Sequence, residues 1–185
     1  VILLRELTLA DALAVQLIYS DASVRYLPRA AMTAESAASW LADQVIERRA
    51  APGVLHCFGI DHADDLVGVI KLRPNRTSAA LSYILRHDVW GRGYATTAVA
   101  LAIDFASSAL GLASVEAKHH PDNHASGRVL IKSGFTCTGR SGVAVTYIRH
   151  LASCDSTSAS ASVSASITSR VADRGQNTDT VRARP

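Results

Sequence analysis

Trp90-Gly91-Arg92-Gly93-Tyr94-Ala95-Thr96 is the stretch on which the reading of this chain turns. An apolar run at residues 81–85 reads as a strand leading into it, and an alanine-rich helix at residues 94–109, stopped by Gly111, leads out of it. A strand, a short glycine turn and a helix start form a ready anion site. Glycine permits positive φ and close backbone approach, and the first amides of the helix, at the positive end of its dipole, have no partner of their own. The turn is not G-x-x-x-x-G-K-[ST], and it lacks the full G-x-G-x-x-G fingerprint, so neither a Walker loop nor a dinucleotide fold is indicated. On local evidence alone, phosphate binding and a purely structural turn both stand.

The surrounding chain alternates strands and helices. Residues 1–4 read as a strand and residues 9–19 as a helix capped by Thr8, with Asp11 in its first turn. Thr33 opens a second helix, in which Ala37, Trp40, Leu41, Gln44, Val45 and Arg48 recur at helical spacing. Residues 55–60 and 66–72 read as a hairpin around His62-Ala63-Asp64-Asp65. Residues 113–119 form a strand and 123–132 a helix ended by Gly134; two short strands, at 135–138 and 143–148, close the domain. The expected fold is α/β, with helices covering a mixed, mostly antiparallel sheet.

Composition sets further bounds. The 185 residues carry 19 Lys+Arg against 16 Asp+Glu, net +3, which is too small an excess to indicate a nucleic-acid partner. Three widely spaced cysteines point away from a disulfide framework and a metal site and towards a reducing, cytoplasmic setting. No apolar run approaches the ~20 residues that span a bilayer, so no membrane partner is expected. After residue 152 the composition changes to a Ser/Ala-rich segment with eight serines and no aromatic residue. The expected division is therefore a folded domain at 1–152 and a disordered tail at 153–185.

A second segment, Asn123-His124-Ala125-Ser126-Gly127-Arg128-Val129-Leu130-Ile131-Lys132-Ser133-Gly134-Phe135, follows the next strand. Together the two segments resemble the GNAT superfamily of acetyl-CoA-dependent N-acyltransferases, in particular its ribosomal-protein N-terminal acetyltransferase branch. The resemblance covers roughly residues 3 to 150. It implies the GNAT fold, acetyl-CoA as cosubstrate, and direct acetyl transfer to a primary amine, either a protein N-terminus or a small molecule. By the same resemblance the amides of Gly91, Arg92, Gly93, Tyr94, Ala95 and Thr96 cradle the CoA pyrophosphate. The backbone of Ile84, Leu85 and Arg86 pairs with the pantetheine arm, as an added strand would. Asn123 hydrogen-bonds the pantetheine, and Ser126 lies near the thioester sulfur as the proton donor, or else caps its helix.

The chain departs from the family where a base is usual. The glutamate of E-[IV]-G-Y is Ala80, and the glutamate that other relatives carry five residues before the asparagine is Lys118. The tyrosine that many members place seven residues after the asparagine is Leu130. Strand alternation puts Glu116 and His120 on the face of the missing base, with His119 opposite unless the strand bulges. His120 is the candidate base, because its unperturbed pKa suits neutral pH; a base-free route through water is the alternative. Tyr83 and Tyr147 read as partly buried strand residues, and Cys57 and Cys137 as small hydrophobes. The rival function is a non-catalytic acyl-CoA-binding module on the same fold. The closing region after Phe135 is short for this branch, which raises completion of the sheet by a second copy, a homodimer.

Overall fold

The computed structural model describes residues 1–51 and 53–152; the Ser/Ala-rich segment expected to be disordered lies outside them. Seven strands form one sheet in the order β1-β2-β3-β4-β5-β7-β6. They are β1 (Ile2–Glu6), β2 (His56–His62), β3 (Asp65–Asn75), β4 (Ser78–Leu85), β5 (Ser114–His119), β6 (Thr136–Arg140) and β7 (Val145–His150). Every neighbouring pair is antiparallel except β4 with β5. This is the expected mixed sheet, and both closing strands come from the chain itself.

Helix α4 (Tyr94–Ser108) makes the crossover between the parallel strands and packs on the sheet. Its Ala98, Val99, Ala102, Ile103 and Ala106 meet Leu4, Ile60, Ile70, Leu81 and Val115 in one core. On the other face α1 (Ala12–Ile18), α2 (Asp21–Val24) and α3 (Ala34–Ala50) bury Val15, Ile18, Val24 and Leu41 against Val69 and Ile84. Helix α5 (His124–Lys132) lies over β5 and β6. Among the described residues, no helix is long and apolar enough to cross a membrane.

Two local details set the frame. The expected helix at 9–19 splits into a 3-10 turn, Leu9–Asp11, and α1, because Asp11 is drawn off the helix axis. Its carboxylate accepts from the Thr8 amide at 2.8 Å and takes a bidentate Arg5 at 3.0 and 2.8 Å, while Arg5 also reaches Asp61 at 2.9 Å. The hairpin between β2 and β3 forms as expected, with Ala63 and Asp64 both left-handed (φ 53° and 65°). Within β3, Val67 has no partner: Ile60 pairs with Gly68 and Asp61 with Leu66. This bulge resets the alternation, so Leu66 and Val69 face α1 and α3 while Val67 and Ile70 face α4. Gly68 is required there, because a Cβ would stand 2.6 Å from the Ile84 carbonyl.

Candidate active site

Strands β4 and β5 pair only from Ser78 with Ser114 to Leu81 with Ala117. Beyond Leu81 they splay, and the gap opens into a cleft of about 320 Å³. The floor is Tyr83, Ile84 and Leu85; the walls come from the glycine turn with the start of α4, the start of α5, and Ser23, Tyr26 and Leu27 around α2.

The turn is shaped by backbone geometry. Gly91 and Gly93 both sit at φ +80°, and a Cβ at either would meet nothing within 4 Å, so conformation and not space demands glycine. Gly93 caps α4, whose first ladder bond runs from the Thr97 amide to the Gly93 carbonyl at 3.2 Å. The amides of Tyr94, Ala95 and Thr96 precede that ladder, and all three residues line the cleft. Tyr94 is steadied by stacking on His62, with ring centroids 4.6 Å apart. Trp90 Nε1 donates to the Leu85 carbonyl at 2.9 Å and pins the turn to the end of β4.

The free edge of β4 is narrower than expected. The Arg86 amide is donated to the Val67 carbonyl at 2.9 Å. By antiparallel alternation Ile84 also directs its backbone groups to β3. Tyr83 and Leu85 are therefore the residues whose backbone faces the gap. The Arg86 side chain is likewise committed, to Asp65 at 3.0 and 2.8 Å and to Asp88 at 2.7 and 3.1 Å. Arg92 is exposed and does not line the cleft. Among the described residues the cations that do are Arg128 and Lys132, one turn apart on α5, and no carboxylate lines the cleft with them. Their i, i+4 spacing was visible in the sequence, but nothing there showed which face of α5 would turn inward.

Helix α5 presents the polar centre. Asn123 is its cap: Oδ1 accepts the Ser126 amide at 3.1 Å. That leaves the Ser126 hydroxyl free of the capping role, and Ser126 Oγ lies 2.8 Å from Tyr83 Oη. Burial pushes the Tyr83 phenol up to about 12, against the lowering effect of the Ser126 hydrogen bond, so at neutral pH it is a neutral hydroxyl. The sequence reading assigned Tyr83 only to a strand; period-two alternation placed it on one face but could not reveal the serine across the gap. Behind this pair, buried His119 holds its Nδ1 2.7 Å from the His120 carbonyl and its Nε2 3.2 Å from Tyr147 Oη. Gly127 makes room for that ring, since a Cβ there would stand 2.9 Å from His119 Nε2.

The positions where relatives carry a base lie on one face of the sheet. Ala80, Glu116 and Lys118 are exposed on one sheet face, with Ala80 opposite Glu116. His120 follows β5 at the rim, stacked on Tyr26 at 5.9 Å, and is not a lining residue. Its Nδ1 accepts the Asp122 amide at 3.2 Å. The Asp122 carboxylate lies 3.6 Å from the same nitrogen.

Residues 2–136 match the family model of the acetyltransferase (GNAT) domain. The uncharacterized N-acetyltransferase YoaA of Bacillus subtilis is 32% identical over 87 residues, 44% of this chain and 49% of that protein. The chain thus spans about half the length of this curated relative. RimJ of Mycobacterium smegmatis, solved with CoA-disulfide, superposes with a TM-score of 0.69 at 23% identity, covering 80% of this chain and 81% of RimJ. Spermidine N-acetyltransferase from Vibrio cholerae, solved with CoA and spermine, gives 0.67 at 16% identity, covering 80% and 95%. At these identities the two structures establish a shared fold. With the family model extending from β1 to the first residue of β6, the chain belongs to the GNAT acetyltransferase domain family.

Proposed function

We propose that this chain transfers an acetyl group from acetyl-CoA to a primary amine, directly and within a ternary complex. The observation that carries the reading is the splayed β4–β5 gap, walled by the glycine turn and by α5 with its two cations, with the Ser126–Tyr83 hydroxyl pair between them. The residues present fit acetyl-CoA. The amides of Tyr94, Ala95 and Thr96, with Arg128 and Lys132, suit its phosphates. The Tyr83 backbone and the Leu85 amide suit the amide groups of its pantetheine arm, and Asn123, which lines the same cleft, adds a donor. Bound there, acetyl-CoA supplies the activated acyl group.

The chain's own residues then order the chemistry. An incoming amine must be neutral to form the new C–N bond, and it releases a proton as that bond forms. Among the described residues no carboxylate lines the cleft and His120 stands at its rim, so water carries this proton away. Ser126 Oγ–H is the donor for the sulfur as the C–S bond breaks, and Tyr83 Oη, donating to Ser126 Oγ, turns that hydrogen towards the cleft. Such an arrangement favours acceptors whose amines are substantially neutral near pH 7 to 8, such as α-amines, whose pKa is about 8, over lysine-like amines near 10.4. Peptide N-termini are the leading acceptor class, with small-molecule amines of low pKa next.

The test is CoA binding by calorimetry, alongside acetyl-CoA-dependent thiol release across short peptides and small amines. Binding with acceptor-dependent release supports the reading. Binding with no release on any acceptor turns it towards a non-catalytic acyl-CoA module, and no binding removes it.

A further inference from the structure

We propose that the acceptor half of the site recognises an amine that also bears a negative charge, a carboxylate or a phosphate, through Arg29, Lys71 and Arg73. The inference rests on the acyl-transfer reading above and adds the acceptor's chemical class to it.

Beyond Ile84, which lines the cleft, the next side chains of β4 on that sheet face are Ser82 and Ala80, both exposed. Their partners across β3 are Lys71 and Arg73. Along β3 the cover thins in the same direction: Val69 is buried beneath the helices, Lys71 is half-buried and Arg73 is exposed. Lys71 and Arg73 stand outside the cleft lining, on the flank over which an acceptor entering from this face would pass. Lys71 Nζ sits 4.5 Å over the Trp40 ring, Trp40 packs on Tyr19 at 5.6 Å, and Arg29 Cζ lies 4.5 Å over Tyr19. The row of cation, two aromatics and cation holds Arg29 and Lys71 in place.

Among the described residues none of these three cations makes an ion pair, whereas Arg5, Arg48 and Arg86 all do. The acidic groups that bear on this face are Cys57 and Glu47, whose fields reach Lys71, and Glu116 on β5, opposite Ala80. Burial holds the Lys71 ammonium below its usual range, and Arg29 and Arg73 press it in the same direction. Three like charges converging beside an open face are relieved by an anion. A carboxylate at position 80 would lie opposite Arg73 and neutralise it; alanine leaves that cation open to a ligand. A polycationic acceptor would meet like charge here.

Three tripeptides with the same N-terminal serine and with Glu, Gln or Lys second isolate the charge. 5-Aminopentanoate, pentylamine and 1,5-diaminopentane repeat the comparison for small molecules and show which source of the anion is used. We expect kcat/KM to fall about tenfold from the anionic to the neutral acceptor and further to the cationic one, as one to a few near-surface charge contacts allow. The difference should shrink between about 50 mM and about 0.5 M salt, and should collapse in Arg73→Gln and in Lys71→Gln. Equal kcat/KM across each series, or preference for the cation, overturns the anion site while leaving the acetyltransferase standing. Equilibrium binding of the same peptides to the CoA-saturated protein reads the charge preference without turnover. Anion-selective binding with no turnover upholds this inference and overturns the reading on which it rests, and charge-blind binding overturns the inference.

Discussion

Replacing Tyr83 by Phe removes one oxygen atom and little else. That oxygen is 2.8 Å from Ser126 Oγ and 3.4 Å from the Ser126 carbonyl, on a half-buried ring packed against the α4 core. A neutral hydrogen bond of this kind is worth about 1 kcal/mol. If it orients the Ser126 hydroxyl in the transition state, its loss lowers kcat by roughly fivefold. KM for acetyl-CoA should not move, because the phenol contacts neither the glycine turn nor Arg128 and Lys132. The assay is steady-state thiol release with saturating acceptor, read beside thermal unfolding, where the same ~1 kcal/mol corresponds to a few degrees in Tm. Because the two hydroxyls act as one unit, Tyr83→Phe should cost nothing further in a Ser126→Ala background. A fivefold rise in KM at constant kcat would make the phenol a binding group. Additive losses in the double variant would refute the relay of orientation from Tyr83 to Ser126.

Four other outcomes follow from the same geometry. Gly93→Ala must place a Cβ at φ +80°, a strain of about 1–2 kcal/mol, and CoA affinity should fall by roughly tenfold in a calorimetric titration as the first turn of α4 shifts. Arg128→Gln and Lys132→Gln should each weaken CoA binding about three- to tenfold and flatten its salt dependence, a few phosphate contacts' worth of charge. His120→Ala should leave kcat within about threefold of the parent, because the ring stands at the rim and does not line the cleft. In Asp11, burial opposes ionisation, yet Arg5 and Thr8 hold the carboxyl below its usual value of 3.8. A lowered folded-state pKa contributes stability that is complete above the unfolded value and lost as pH falls through the folded one. Denaturant titrations from pH 7 down to about pH 3 should therefore show that Asp11→Asn loses about 1–3 kcal/mol at neutrality, and that its gap from the parent narrows below about pH 4.

What the sequence made legible was whatever has a local cause. The glycine turn, the Thr33 cap, the hairpin at Ala63-Asp64 and the helix from Asn123 each depend on a few adjacent residues, and each formed as read. Alternation along β5 set His119 on the face opposite Glu116 and Lys118, and in the fold His119 is buried while those two are exposed. The features that were not legible have non-local causes. The single-residue bulge at Val67 is set by β2 across the sheet. The contact between Tyr83 and Ser126 joins residues 43 apart and exists only because β4 and β5 part company. Asn123 and Ser126 could each have capped α5; the fold gave the cap to Asn123, and only that choice frees the serine. The pull of Arg5 on Asp11, which breaks the first helix, likewise needs β1 and the 3-10 turn in their final places.

The central claim is transfer of the acetyl group to nitrogen, and carbon-labelled acetyl-CoA follows that group directly. Acetyl-CoA labelled with ¹³C in the carbonyl, incubated with the protein and a serine-terminal peptide, should place the label in an amide on the peptide's α-nitrogen. One free thiol should appear per label, and none of the label should be found on the protein. Label recovered as acetate with equal thiol release would make the cleft a hydrolase site, and label remaining in acetyl-CoA beside tight CoA binding would contradict catalysis altogether.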